Sequence, residues 1–119
     1  MTRLRATVLL AVLSLSPGLA AQDMTLRFRF VGDPGNIQGC IGADSAFTRV
    51  HTLTRKGDVV EIRSSGGIDD HMKPTGPDTY ATVFQLGLGH LDVTADLGAT
   101  KAVTIVGKSS GCKWSAKFE

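Results

Sequence analysis

The sequence predicts a small all-β domain, and three observations support that prediction. Apolar and polar residues alternate from Met24 onward, and clusters of Gly, Pro, Asp and Asn separate the alternating segments. No amphipathic helix of ten residues is evident. A chain of 119 residues has room for one such domain, so a multidomain enzyme is excluded.

The alternation is clearest at the two ends of the predicted domain. Phe28 and Phe30 share one face of a first strand, and Arg29 between them points to the other face. In the last segment Cys112 and Trp114 share the apolar face in the same way. We therefore expect one buried and one solvated face on each strand.

Five further strands are predicted between these two, each bounded by turn-forming residues. They cover residues 46–54, 58–64, 79–86, 90–96 and 101–106. A glycine-rich turn at residues 86–89 joins two of them, and the strand at 101–106 is apolar on both faces at its centre, as a covered strand would be. The total is about seven short strands.

The hairpin around Gly57 allows two registers. We expect a three-residue turn that ends at Gly57, where a left-handed conformation costs glycine least, and this turn places Thr54 opposite Asp58. A two-residue turn would instead place His51 opposite Ile62. His51 and His90 each lie on a predicted strand with no other histidine. We expect each side chain to lie on the surface or to contact a residue of a neighbouring strand.

The first twenty residues have the features of an export signal. Arg3 and Arg5 precede an apolar run at 6–15, and small residues lie just ahead of Ala21. The run is about half as long as a membrane-spanning helix requires. We expect cleavage before Ala21, a single exported domain over residues 21–119 in the periplasm or outside the cell, and no membrane span in the mature chain.

Without this signal the domain carries no net charge. The chain has 13 Lys and Arg and 11 Asp and Glu, and two of the basic residues, Arg3 and Arg5, belong to the signal. General electrostatic attraction to nucleic acid therefore has no support in the composition. We expect no nucleic-acid partner.

Cys40 and Cys112 are the two cysteines of the chain, so a single pairing is possible. Export to an oxidising compartment favours a structural disulfide between them. Such a bond would span a sequence separation of 72 residues. The chain-entropy model gives about 4 kcal/mol of stabilisation for a loop of this size.

Two antiparallel sheets packed face to face are the simplest architecture, because each strand has one apolar face that needs a second layer. A small closed β-barrel is the alternative, since closure also buries one face and removes exposed edges. The strand number and single disulfide resemble those of transthyretin-like and immunoglobulin-like exported sandwiches. That resemblance implies a β-sandwich fold and no particular functional residues.

Two polar segments, 32–45 and 65–78, are predicted as long loops, and loops of this length are often functional. The second contains four consecutive candidate binding residues: Asp69, Asp70, His71 and Met72.

His71 and Met72 suit copper, and His71 with a carboxylate suits zinc, if a ligand from elsewhere in the fold completes the site. A His-Met pair in an exported β domain also resembles periplasmic copper chaperones, and that resemblance implies copper as the ligand. Outside this metal-binding alternative we expect no cofactor.

No G-x-S-x-G, H-E-x-x-H or CxxC motif is present, so we expect no enzyme. The leading hypothesis is an exported, non-catalytic binding or accessory module that uses residues 65–78 to bind a protein or glycan of the cell envelope or extracellular space. The alternatives are a periplasmic copper or zinc protein centred on His71 and Met72, and an inhibitor of a secreted hydrolase.

Overall fold

The computed structural model describes residues 22–86 and 89–119. Within these residues eight antiparallel strands follow one another around a closed barrel. They are β1 (Met24–Gly32), β2 (His51–Lys56), β3 (Val59–Ser64), β4 (Asp69–Gly76), β5 (Thr79–Leu86), β6 (Gly89–Asp96), β7 (Ala102–Gly107) and β8 (Lys113–Phe118). The predicted export signal and the centre of the glycine-rich turn, Gly87 and Leu88, lie outside the described residues. No helix in the described ranges is long and apolar enough to span a membrane.

The barrel closes because β1 pairs with β2 on one side and with β8 on the other. The all-β prediction is confirmed, and the closed barrel given as the alternative is the architecture found, not the two-layer sandwich. Both architectures bury one face of every strand, so alternation alone does not separate them. In the barrel the opposite wall supplies the second layer.

The interior of the barrel is filled by side chains from all eight strands. Its largest fully buried members are Phe28, Phe30, Phe84, Leu53, Ile62, Leu91, Ile105 and Trp114. The predicted inward faces of β1 and β8 are confirmed. On β7, Val103 and Ile105 are buried, but Val106 is 38% exposed. The predicted covered strand is wrong at this position, because the outer face of a single-walled barrel meets solvent.

The largest correction concerns residues 65–78, which do not form a long loop. They contain β4, whose eight residues include Asp, Lys, Pro and Gly, all uncommon in strands. The first half of the strand forms because β3 provides a partner, with pairs from Val60 opposite Met72 to Arg63 opposite Asp69, and the second half pairs with β5. Local propensity is overridden here by pairing in the barrel.

The β2–β3 hairpin has a register that neither prediction contained. Lys56 lies opposite Val59, so the turn consists of Gly57 and Asp58, and Gly57 has the expected left-handed conformation with φ +60°. This register directs His51 and Arg55 into the barrel. The predicted surface position of His51 is therefore wrong, whereas His90 is exposed.

Residues 33–48, which we call the cap segment, cover one end of the barrel. The segment contains a 3-10 helix (Gln38–Ala43) followed by a single α-helical turn, α1 (Asp44–Phe47), so the strand predicted from residue 46 begins only at His51. Phe47 is fully buried, and its ring packs against Phe30 and Trp114. The cap segment thus completes the core at this end.

The predicted disulfide between Cys40 and Cys112 is confirmed, and it fastens the cap segment to the start of β8. Two kinds of hydrogen bond reinforce the attachment. Trp114 Nε1 donates to Asp44 Oδ1 at 2.8 Å, and the Asn36 side chain bonds both the carbonyl oxygen and the amide of Lys113. One end of the barrel is therefore closed by covalent, polar and apolar contacts together.

Candidate functional site

Strand β4 changes partners along its length. Residues 69–72 pair with β3, and residues from Lys73 to Gly76 pair with β5. Extending the β4–β5 register would pair residues 69–72 with residues 82–85, but within the described part of the chain these positions are not paired. The β4–β5 ladder therefore covers only the second half of β4. We call residues 69–72 of β4 and 82–85 of β5 the seam.

Pro74 helps to explain where β4 leaves β3. Proline has no N–H and interrupts a β ladder, so it is tolerated where one side of a strand has no partner. Met72 is the last β4 residue paired with β3, and the β4–β5 register shifts between Pro74 and Gly76. Such a bulge bends a strand and increases its local twist. The proline and the bulge therefore lie where the partner exchange occurs.

A groove of about 660 Å³ lies on the outer face of the barrel beside the seam. Its floor is formed by Ala81 and Val83 of β5. Its walls come from β4 on one side and from β6 on the other: His71, Lys73 and Thr75, and Asp92 and Thr94. We call this the seam groove. Its volume is within the usual range of small-molecule sites.

Two of the predicted site residues, Asp69 and His71, lie on the outer face and belong to one polar network with β3. His71 Nε2 lies 2.7 Å from Glu61 Oε2, Arg63 Nη2 lies 3.3 Å from Glu61 Oε1, and Arg63 Nε lies 3.2 Å from Asp69 Oδ1. These contacts place acidic and basic side chains next to one another on the outer faces of β3 and β4. It holds His71 at the rim of the seam groove.

The other two predicted site residues lie on the inward face of β4. Met72 is buried in the core with 4% exposure, and Asp70 is half-buried beside a smaller opening of about 260 Å³ near Phe84. His71 and Met72 therefore point to opposite faces, and a single ion does not reach both side chains in this arrangement. In residues 22–86 and 89–119 no group of three or more His, Cys, Asp or Glu side chains is placed to hold a metal ion.

The sequence prediction missed Lys73 and Asp92 as site residues. Both line the seam groove, and neither forms an ion pair within the described ranges. Alternation along β6 does place Asp92 on the polar face. Lys73 was missed because residues 65–78 were interpreted as a loop, in which side-chain direction is undefined.

The buried charge of Arg55 lies at the barrel end opposite the cap segment. Arg55 Nε donates to the Gln22 carbonyl oxygen, and Arg55 Nη1 donates to Asp78 Oδ1 at 2.9 Å. Burial opposes the charge, but Tyr80 and Asp78 outweigh it and raise the pKa of Arg55. Asp78 has φ +60°, a conformation that aspartate tolerates better than most residues. This pair anchors the β4–β5 turn to β2.

His51 is buried between aromatic rings and does not reach the seam groove. Its ring stacks on Phe28 and meets Phe30 edge-on. Nδ1 donates to the Arg49 carbonyl oxygen at 2.8 Å, so Nε2 carries no hydrogen, and among residues 22–86 and 89–119 it has no hydrogen-bond partner. Burial lowers the pKa of His51, so the ring is neutral at pH 7.

Comparison with known proteins gives no match: no protein-family model, no curated protein and no solved structure is similar to this chain. The functional interpretation therefore depends on the geometry of the seam and its groove.

Proposed function

We propose that this protein is an exported, non-catalytic binding module whose binding surface is the seam groove. The observation that carries the proposal is the coincidence of two features at one place. The barrel wall loses its strand pairing along the seam, and a groove with an apolar floor and charged walls lies directly beside it. Apolar surface combined with a few convergent polar groups is typical of ligand sites.

The chemistry of the groove supports binding rather than catalysis. The imidazole Nε2 of His71 lies 2.7 Å from Glu61 Oε2, and the hydroxyl of Thr94 is hydrogen-bonded to that of Thr104. Both cysteines are bonded to each other, so neither supplies a thiolate nucleophile. The lining groups are thus suited to hold a ligand by charge and hydrogen bonding.

The disulfide and the predicted signal together support export. A disulfide persists in oxidising compartments and is rare in the cytosol. The proposed location is the periplasm or the extracellular space, and the proposed ligand belongs to that environment. The proposed binding surface lies on β4, β5 and β6. An inhibitor of a hydrolase would need a protruding loop, and residues 69–76 form a strand instead.

The test fills the groove with a larger side chain and measures whether the immobilised protein still retains a ligand. Ala81→Tyr places a ring on the groove floor, on the outer face where no core packing is disturbed. Thr52→Tyr places the same ring on the outer face of β2 and is the matched control. Each variant and the wild-type protein are immobilised and exposed to envelope and medium extracts, and the retained molecules are identified by mass spectrometry.

We expect that the wild-type protein and Thr52→Tyr retain the same molecule. Ala81→Tyr should not retain it. Circular dichroism should show that all three proteins keep the same strand content. Equal retention by Ala81→Tyr would place binding elsewhere on the barrel and contradict the proposal.

A further inference from the structure

We infer that the ligand of the seam groove is a short peptide with free termini, two or three residues long. The inference rests on the proposed function, because it names the ligand class of the same groove. It follows from the sign, separation and surroundings of the two groove charges, Lys73 and Asp92.

The groove has one uncompensated charge of each sign. Lys73 on the β4 wall and Asp92 on the β6 wall form no ion pair and no hydrogen bond through their side chains within residues 22–86 and 89–119. The neighbouring His71 differs, because its Nε2 is directed to Glu61. A ligand that carries both a carboxylate and an ammonium group complements this pair, whereas a ligand with one charge leaves the other side chain unpaired.

The register fixes the spacing of the two charges. Lys73 lies opposite Ala81, and Asp92 lies opposite Val83, so the two charged residues are two strands apart and offset by two residues. With strands about 4.8 Å apart and a rise of about 3.4 Å per residue, their Cα atoms are about 12 Å apart. The flexible lysine side chain shortens the gap that a ligand must bridge.

A short peptide spans such a gap more fully than a single amino acid does. The charges of an amino acid are separated by one Cα atom, whereas an extended peptide grows by about 3.3 to 3.6 Å per residue. Two or three residues therefore reach from the Asp92 carboxylate to the Lys73 ammonium. At pH 7 the peptide amino group is charged, since its pKa is about 8.

The floor of the groove favours small side chains on that peptide. Ala81 and Val83 present methyl groups between the charged walls, and Val83 is 39% exposed. Alanine side chains match this strip without colliding with the walls. The binding orientation places the amino terminus at β6 and the carboxyl terminus at β4.

Trialanine is the probe, and binding is followed by NMR in titrations of the 15N-labelled protein. Two blocked probes, N-acetyl-trialanine and trialanine amide, each remove one terminal charge. The protein variants Asp92→Asn and Lys73→Gln remove the matching protein charges, and Asp58→Asn and Lys117→Gln are controls on exposed residues outside the groove. We expect trialanine to bind with a Kd of about 1 mM or tighter and to shift amides of β4, β5 and β6.

Acetylation should weaken binding to the wild-type protein about three- to fivefold, the range of an exposed ion pair. It should cause no further loss in Asp92→Asn. Trialanine amide should likewise bind the wild-type protein more weakly than trialanine does, with no further loss in Lys73→Gln. The two control variants should respond to both blocked probes as the wild-type protein does.

Three results would overturn the inference: no shifts up to about 10 mM trialanine, blocked peptides that bind as well as the free one, or shifts outside the groove. Failure of the inference is distinguishable from failure of the proposed function. If trialanine does not bind but Ala81→Tyr still loses a captured molecule, the groove is a binding site for another ligand class.

Discussion

Strand β5 has two neighbours and pairs with them very differently. Toward β6 the ladder runs without interruption from Thr79 opposite Asp96 to Leu86 opposite Gly89. Toward β4 it has three positions and a register shift. β5 is continuous through its ladder with β6, and the β4–β5 ladder ends where β4, beside Pro74 and its bulge, pairs with β3 instead. The barrel is thus closed in topology although one of its ladders is short.

The cap segment shows the opposite arrangement. It is held by a disulfide, by the buried ring of Phe47 and by the hydrogen bond from Trp114 to Asp44. Beside the seam, the outer faces of β3 and β4 are joined by exposed ion pairs, and the β4–β5 ladder is short. We therefore expect the contacts of the cap segment to contribute more to stability than the ion pairs beside the seam. Three substitutions test this contrast.

The largest effect is expected from removal of the disulfide. In the double variant Cys40→Ser with Cys112→Ser, the unfolded chain regains the entropy of a loop with a separation of 72 residues. The free energy of unfolding should fall by about 4 kcal/mol, measured by urea denaturation. Reduction of the wild-type protein should give the same loss. A change below about 1 kcal/mol would show that the cap segment is held mainly by its non-covalent contacts.

An intermediate effect on the free energy of unfolding is expected when the pH is lowered, because of His51. Its folded pKa is lowered by burial, so below about pH 6.5 the unfolded chain binds a proton that the native protein does not. The free energy of unfolding should therefore fall as the pH drops from about 6.5, by up to about 1.4 kcal/mol per pH unit, until the lowered pKa is reached.

The variant His51→Phe isolates this contribution, since it keeps an aromatic ring and removes the titrating group. The difference in stability between wild-type protein and His51→Phe should shift in favour of the variant as the pH falls from 7 to about 5. His90→Gln, which changes an exposed histidine, is the control and should follow the wild-type curve. Parallel curves for wild-type protein and His51→Phe would contradict the buried, uncharged state of His51.

The smallest effect is expected at the outer network beside the seam. Glu61→Gln weakens the contacts of Glu61 with His71 and Arg63, and the exposed members of such a network contribute little. The free energy of unfolding should fall by less than about 1 kcal/mol in urea denaturation. A loss above about 2 kcal/mol would mean that the seam carries more of the stability than the contrast with the cap segment allows.

Much of the fold could be predicted from the sequence where alternation is regular. The β5 bounds, the inward faces of β1 and β8, and the pairing of Cys40 with Cys112 all followed from local pattern and from cysteine number. The choice between sandwich and barrel did not, because closure depends on the pairing of β1 with β8 across the whole chain. Contacts of that kind leave no local signal.

Residues 69–72 were selected from the sequence as part of a polar loop, and one of them, His71, lines the seam groove. Their strand was missed because Asp, Pro and Gly are poor strand formers, and β4 forms only through its pairing with β3 and β5. Without the strand, the opposite directions of His71 and Met72 could not be seen, nor could the placement of Lys73 across from Asp92.

The hairpin at Gly57 shows the same limit on a smaller scale. Arg55 was assigned to the turn because a three-residue turn would end at Gly57 in the left-handed conformation, yet Arg55 lies in β2, is 2% exposed and pairs with Asp78. The turn is formed by Gly57 and Asp58, so both predicted registers were wrong. A buried charge with a distant partner cannot be recognised from its neighbours in sequence.

The open seam itself is tested most directly by hydrogen–deuterium exchange at single residues. The amides of residues 69–72 and 82–85 that face the seam should exchange far faster than the alternate amides of the same strands, which face β3 or β6. Uniform slow exchange across both strands would show that β4 and β5 are paired along their whole length. In that case the barrel wall has no seam, and the groove beside it loses the feature that marks it as a binding site.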